Sequence, residues 1–533
     1  MKYPLWEREV HHMSNPNSLY NVIKANLKDG RLPREFSLPK PKDSDQNIPF
    51  ADGAMDGIYI YHMEHSGLTG EQHAVMELAV DYMNQADIIG ADTAFKKLGS
   101  MAGAISSLDE LQRYIVAHAV NPNDKPDPAR PNEIRLTLKN ICDTARRLIA
   151  ESENKESVKY ALAVCEIFRH HPDDIKEIIT TLGLSDEFTI FSVWNMMNWE
   201  DGNARIFDLI QKVRGWGRVH ALEKLEPDTP EIRHWILMEG TDNDVMPAYS
   251  GLTAWIKSEA LDLLKAGPTA EEFHAISYLM DAILDEGPVP GLSQLEDPED
   301  ALNSYLDQAE KQELEANDLD TILMIRDRAS EEDLLSIKAR CDVILNTPGA
   351  KDKALEAVKE GKNIQLAEAL NIDCSGILYD LMKQDFDKYF GWCGKLMAHE
   401  EYVDPVIDLF MEKLPLELMK DEPTLNSGLG PEFNEYSKLL FILQELDKYP
   451  GKGEELILTG LRSPVVNNRF KAVMALKNWT HRLSKTLRAI SPKIAAELYK
   501  LPGKEPNSEI KEDMLDLLKG KIYTSTDLNP EAN

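Results

Sequence analysis

Long apolar runs are missing from this 533-residue chain: nowhere do about 18 consecutive apolar residues occur, the length a membrane-spanning helix needs. The first residues, "MKYPLWEREVHHM", contain no apolar run of signal-peptide length. Cysteine is scarce. The five cysteines, Cys142, Cys165, Cys341, Cys374 and Cys393, are widely scattered and form no CxxC pair, so neither a zinc site nor a disulfide framework is suggested. Buried thiols acting as small apolar residues in a reducing cytosol are expected, and the protein is read as cytoplasmic. Positive charge is also in short supply. Lys plus Arg total 59 against 91 Asp plus Glu, a formal net charge of −32. Such a chain repels phosphate backbones and anionic lipid, so no nucleic acid and no membrane is expected among its partners. Lys212, Arg214 and Arg218 make only a small basic cluster, soon followed by Glu223 and Glu226.

The familiar glycine-rich and nucleophile motifs are absent too. No GxGxxG, GxSxG or HExxH occurs, and "GSMAGAISS" at 99 to 107 has no Walker lysine. "DGAMDG" at 52 to 57 lacks the later ligands and terminal Glu of a calcium loop. His62, His65 and His73, with Asp52, Asp56 and Glu71 nearby, come nearest to a metal cluster. An i, i+3 pair on a helix can share a ligand, but Gly67 is expected to break the helix before His73. The adjacent pairs His11-His12 and His170-His171 diverge on a helix. The expectation is therefore no metal, no cofactor and no catalytic residue that the sequence can name.

What is present is helical punctuation. Cap-plus-Pro starts are expected at Thr229-Pro230, Asp297-Pro298, Asp404-Pro405, Ser463-Pro464 and Ser491-Pro492. Capping boxes are expected at Thr69 with Gln72, Thr269 with Glu272, and Ser330 with Asp333. Alternating strand patterns are almost absent; "GIYIYHM" at 57 to 63 is short and could equally begin a helix. The fold class is all-α.

"SPVVNNRFKAVMALKNW", residues 463 to 479, repeats apolar residues at helical spacing through Val466, Phe470, Val473, Leu476 and Trp479, with the small Ala472 and Ala475 allowing close approach. The preceding "GEELILTGLRS" is another apolar helix, close enough to pack as a hairpin. The pattern recurs upstream. Arg218, Ala221 and Leu225 match Arg469, Ala472 and Leu476 with one slip, and Ser192 takes the Ala place in "FTIFSVWNMMNW". Ile175, Ile178, Ile179 and Gly183 likewise match Ile232, Trp235, Ile236 and Gly240. This rhythm resembles HEAT-like repeats of armadillo-type proteins, over about residues 157 to 283 and 433 to 500. The resemblance implies an irregular HEAT-like α-α superhelix, or solenoid, although no Asp regularly precedes the Arg.

Four regions are expected: a helical and loop-rich N-terminal region at 1-135, a HEAT-like repeat block at 136-290, a second helical block at 291-519, and a flexible tail at 520-533. From Leu295 to Asp320 acidic residues far outnumber the single Lys311. That stretch reads as a solvated helix or as a docking strip for a basic partner. Trp194, Trp199, Trp216, Trp235 and Trp255 concentrate in the first block, as core or as groove.

"WGRVHALEKLEPDTPEIRHWILMEG" also looks like sequences of a bacterial family labelled limonene hydroxylase, which implies an oxidoreductase acting on a small apolar substrate with a nicotinamide cofactor. "FGWCGKLMAHE" at 390 to 400 lacks the Gly and basic residues of a haem-thiolate loop. The leading expectation is a helical-repeat scaffold that binds a protein or peptide of basic character on an acidic curved surface.

Overall fold

The structure is a computed structural model, and it describes residues 15–39, 50–63, 67–120 and 134–528. It is all-α, as expected. Among the described residues the strands are two short segments, Ala119–Val120 (β1) and Leu136–Thr137 (β2), paired in parallel. The chain divides into two compact units, Met1–Cys341 and Asp342–Asn533.

The first unit begins with α1 (Leu19–Asn26), α2 (Ala54–His62), α3 (Gly70–Asn84), α4 (Ile88–Ala102), α5 (Ala104–His118) and α6 (Leu138–Glu151). Short helices then follow at close intervals: α7 (Lys155–Ile167), α8 (Asp173–Leu182), α9 (Thr189–Met196), α10 (Gly202–Ile210), α11 (Gly215–Lys224) and α12 (Pro230–Glu239). The series continues with α13 (Ala248–Lys257), α14 (Ala260–Ala266), α15 (Ala270–Leu284), α16 (Pro298–Ala309), α17 (Ala316–Glu331) and α18 (Leu335–Leu345), and the two units part inside α18. From α7 onward the packing is periodic. Each odd-numbered helix packs on the next, α7 on α9, α9 on α11, α11 on α13, α13 on α15 and α15 on α17. The even-numbered helices lie beside this row, α8 on α9, α10 on α9 and α11, α12 on α13 and α15, α14 on α16.

The second unit contains α19 (Pro348–Lys359), α20 (Ile364–Ala369), α21 (Ser375–Gln384), α22 (Phe386–Tyr389), α23 (Cys393–Met397) and α24 (Glu400–Lys413). They are followed by α25 (Asn434–Leu446), α26 (Glu454–Leu461), α27 (Val466–Leu483), α28 (Leu487–Ile490), α29 (Pro492–Leu498), α30 (Ser508–Lys519) and α31 (Ser525–Leu528). The alternation recurs: α19 packs on α21, α21 on α23, α23 on α25 and α25 on α27. Within the 520–533 stretch Tyr523 is buried, and its backbone oxygen lies 3.0 Å from His481 Nδ1.

Local signals set most helix starts. Thr229, Asp297 and Ser491 cap the helices that open with Pro230, Pro298 and Pro492, and both Thr69–Gln72 and Thr269–Glu272 close reciprocal capping boxes. Three expected starts differ. Pro405 lies inside α24, so Asp404 caps nothing there, and the helix continues past the missing N–H because its apolar face stays buried. Ser330 lies inside α17, where its hydroxyl donates to Arg326 O at 2.8 Å instead of capping. Helix α27 begins at Val466, two residues after Pro464, because Ser463 Oγ accepts from Val465 N and so rounds the corner first.

The pairing of α26 with α27 explains the small residues of the 463–479 stretch. A Cβ added at Gly460 would lie 3.0 Å from Ala472 Cβ, so these two helices cross at van der Waals contact. The same contact recurs in the first unit, where a Cβ at Gly183 would lie 2.9 Å from Ser192 Cβ and one at Gly240 2.9 Å from Ala254 Cβ. In each pair a glycine at or near the end of one helix meets a small residue on the next. Arg469, fully buried, holds the crossing from the side. Its Nε donates to Glu505 Oε2 (2.7 Å), and its other donors reach Glu505 Oε1, Ser463 O, Pro464 O and Thr424 O. All five guanidinium hydrogens are thereby satisfied. Replacing Ala472 by Phe should push α26 and α27 apart and cost about 1–3 kcal/mol, read as a lower denaturant midpoint at unchanged slope; an unchanged midpoint would contradict the contact.

Candidate functional site

The densest concentration of chemistry is a buried ionic cluster on α7. Lys155 and Lys159 stand one turn apart, and Lys159 is sunk among apolar neighbours, its side chain 3% exposed. An unpaired ammonium there would be very costly, so three carboxylates meet it: Asp56 at 2.7 Å, Glu187 at 2.7 Å and Glu156 at 3.1 Å. Lys155 Nζ reaches Asp52 Oδ1 at 2.6 Å and Glu187 Oε2 at 3.2 Å. Three separate segments therefore converge: residues 52–57, α7, and the turn before α9.

Backbone close approach builds the rest. Gly53 has a left-handed φ of 76°; its N–H donates to Glu187 Oε2 at 3.0 Å, and an added Cβ would lie 2.6 Å from Asp186 O. Asp186 in turn accepts backbone hydrogen bonds from Arg214 and Gly217 at the start of α11. A side chain at Gly57 would collide with the Trp216 ring. The "DGAMDG" stretch thus uses its aspartates as ion-pair partners and its glycines for close packing.

The electrostatics follow from burial. Desolvation opposes the charge on Lys159, but Asp56, Glu187 and Glu156 outweigh it and hold the ammonium well above the lysine range. Burial would raise Glu187, yet Lys159 and Lys155 pull it down to about 2. Asp56 goes the other way: burial, against the pull of Lys159, lifts it to about 6. Burial and then the Asp52 carboxylate lift Asp186 to about 8. An ammonium held this firmly does not serve as an amine nucleophile. It clamps carboxylates from different segments.

Beside the cluster lies an aromatic group. Trp216 and Tyr249 meet edge to face with centroids 4.7 Å apart, Tyr61 sits 5.1 Å from Tyr249, and His62 Nε2 lies 2.7 Å from the Tyr249 hydroxyl. The Tyr61 hydroxyl donates to Glu223. His220 stacks against Tyr61 and Trp216 and is 1% exposed, with neither ring nitrogen hydrogen-bonded. A separate polar group joins α15 to α17: Asp318 accepts from Ser277 Oγ at 2.7 Å and lies 2.8 Å from His274 Nδ1. A shallow cavity of about 250 Å³, lined by Asp173, Lys176, Glu177, Thr180, Thr181 and Arg205, opens on α8 and α10.

The sequence candidates are dispersed among these features. His62 joins the aromatic group, whereas His73 Nε2 lies 2.6 Å from Glu110, and helix α2 ends at His62, before the i+3 position. Glu71 is exposed in the first turn of α3. His11, His12 and His65 lie outside the described residues. His170 is exposed and His171 buried. Among the described residues no group of three or more His, Cys, Asp or Glu is placed to hold a metal ion. All five cysteines are free and buried. Trp199, Trp216 and Trp255 are core residues, while Trp194 and Trp235 are half-buried. Two members of the small basic cluster are tied up internally, Lys212 with Asp208, and Arg218 with Glu239 while stacking on Trp235, and Arg214 is exposed. Part of the 295–320 acidic stretch is paired as well, Asp300 with Lys265, and Asp307 and Glu310 with Arg340. Lys155, Lys159, Asp186 and Glu187 belong to no sequence motif. The available signal was a lysine set between Val158 and Tyr160, at the head of the apolar run that follows in α7.

No helix among the described residues is long and apolar enough to cross a membrane. No family model matches the chain, and neither a curated protein nor a solved structure matches it.

Burial holds His220 down to about 3, against an ordinary 6.5. Between those values the unfolded chain carries a proton that the folded chain lacks, so stability is full above pH 6.5 and falls as pH drops toward 3. His220→Phe should keep the stack and remove up to about 1.4 kcal/mol per pH unit from that slope, measured by denaturation at several pH values. An unaltered slope would show that His220 is not buried neutral.

Proposed function

We propose that the chain is a HEAT-like α-α superhelix whose work is to bind a protein or peptide of basic character. The observation that carries the reading is the crossing contact repeated at Gly183–Ser192, Gly240–Ala254 and Gly460–Ala472. A recurring glycine-to-small-residue contact lets successive helices pair closely, as stacked helix pairs do. The alternating packing of odd- and even-numbered helices supports the same reading. Stacked pairs offer long faces to a polypeptide, and the charge on those faces sets which polypeptide binds.

Charge selects the partner. With a net charge of −32, carboxylates remain after every cation has been paired, and their field attracts a basic polypeptide and repels nucleic acid. Five buried free thiols fit a reducing cytosol as the place of action. The test is a titration of the purified chain with a polylysine-rich peptide, a matched acidic peptide, and single- and double-stranded DNA and RNA. Saturable binding of the basic peptide alone, weakening steadily as salt rises past the range where the screening length is about 8 Å, is expected. Saturable nucleic-acid binding, or binding of the basic peptide that ignores salt, would contradict the reading.

A further inference from the structure

Charge is unevenly placed along the chain. Residues 1–341 contain 34 Lys plus Arg against 60 Asp plus Glu, and residues 342–533 contain 25 against 31, so most of the excess negative charge belongs to the first unit. Within the second unit one stretch runs the other way. From Leu456 to Ala496 there is no Asp or Glu, while eight Lys and Arg occur. Four of the eight find carboxylates at its ends or beyond: Arg462 pairs with Glu497, Arg469 with Glu505, Lys477 with Asp513 and Lys493 with Glu455.

The other four, Lys471, Arg482, Lys485 and Arg488, make no ion pair with any described residue. Helical spacing sorts α27 into two faces. Arg469, Ala472, Leu476 and Trp479 are buried, whereas Asn467, Lys471, Asn478 and Arg482 recur on the opposite side and are half-buried or exposed. Lys485 and Arg488 continue that charge from the end of α27 into α28, both exposed. Asp447, half-buried at the end of α25, feels Arg482 and Lys471 yet pairs with neither. These four cations brace no helix.

Matching carboxylates stand in the first unit. Lys265 of α14 sits among Asp300, Asp262 and Asp297, and Glu296 and Glu299, next to them in the chain, are exposed and make no ion pair with a described residue. We propose that the outward face of α27 and α28 is a self-association surface, and that its occupant is the acidic surface of the first unit in a second copy of this chain. The proposal rests on the acidic-surface reading above and names its basic polypeptide as another copy's α27–α28 face. Net charge makes two copies repel, but at physiological ionic strength that repulsion is screened beyond about 8 Å, whereas cations and carboxylates in an interface meet at contact distance. Every copy carries both surfaces, so two copies complement one another in both directions, as a nucleic acid or a short acidic peptide does not.

The test is sedimentation velocity of the full chain from low to high micromolar concentration. Species heavier than the 60.2 kDa chain should form as concentration rises at roughly 0.15 M salt, with the dissociation constant at least roughly tenfold higher at roughly 0.5 M. The triple variant Arg482→Glu, Lys485→Glu, Arg488→Glu alters only exposed side chains and should weaken association at least roughly tenfold. The double variant Glu296→Lys, Glu299→Lys should do the same, and it serves if the first fails to fold. An equimolar mixture of the two brings an intact basic face to an intact acidic surface and should restore association. A wild-type chain that stays monomeric throughout, or association that survives both sets of reversals, would overturn the proposal. So would a monomer that binds single-stranded RNA or an acidic peptide and loses it in the triple variant, which would assign the face to another polyanion. The triple variant keeps the acidic surface and should still bind the polylysine-rich peptide. Monomers that bind that peptide therefore overturn self-association alone, whereas a wild-type chain that binds none overturns the acidic-surface reading with it.

Discussion

A helix leaves its last carbonyls without partners inside itself, and a fold assembled from helices of mostly 7 to 16 residues meets that constraint at every turn. Here side chains from neighbouring helices answer it. Lys257 of α13 donates to Leu222 O, Glu223 O and Leu225 O at the end of α11, at 3.2, 2.9 and 2.6 Å. Gln308 of α16 donates to Leu264 O near the end of α14 at 2.7 Å, and Trp479 of α27 donates to Leu446 O at the end of α25 at 2.6 Å. The Tyr449 hydroxyl, just beyond α25, donates to Met397 O at the end of α23. Each bond satisfies a carbonyl and fixes a helix against the one two places before it. Apolar contact alone would let such helices slide; a directed bond at the helix end sets their register.

The α7 cluster applies the same logic to charge. Lys159 is buried deeply enough that it must be paired, and its partners lie on segments 28 and 103 residues away in the chain. Removing the Lys159 ammonium would leave the buried Asp56 carboxylate without its counter-charge in the interior, so the cluster ties residues 52–57 to α7. Arg469 does the equivalent in the second unit, joining α27 to Glu505 and to the loop at Thr424. Arg218, its counterpart in the repeated pattern, joins α11 to Glu239 at the end of α12.

Features that depend on a few adjacent residues were legible in the sequence. Thr69, Thr229, Thr269, Asp297 and Ser491 announce helix starts because a cap bonds only two or three residues onward. Asp404-Pro405 carries the same local signature and lies mid-helix, since burial of Val403, Val406, Ile407 and Phe410 overrides it. The close helix crossings were legible at Gly183, Ser192, Gly240 and Ala472, because helices that approach this closely need small residues at the contact. The α7 cluster was not. Asp52 and Asp56 stood out beside His62 and His73, and sequence proximity suggested a shared ligand; their partners come from α7 and the turn before α9, and nothing local in residues 52–57 encodes that.

Lys257 offers the most direct measurement of the central claim, that side-chain donors to helix ends hold the row together. In Lys257→Met, native-state hydrogen exchange should show amides of α11 and α13 opening faster by roughly tenfold or more, while those of α6 and α7 keep their protection. Protection lost equally across the first unit, or not lost at all, would show that the bonds to Leu222, Glu223 and Leu225 do not hold these helices in register.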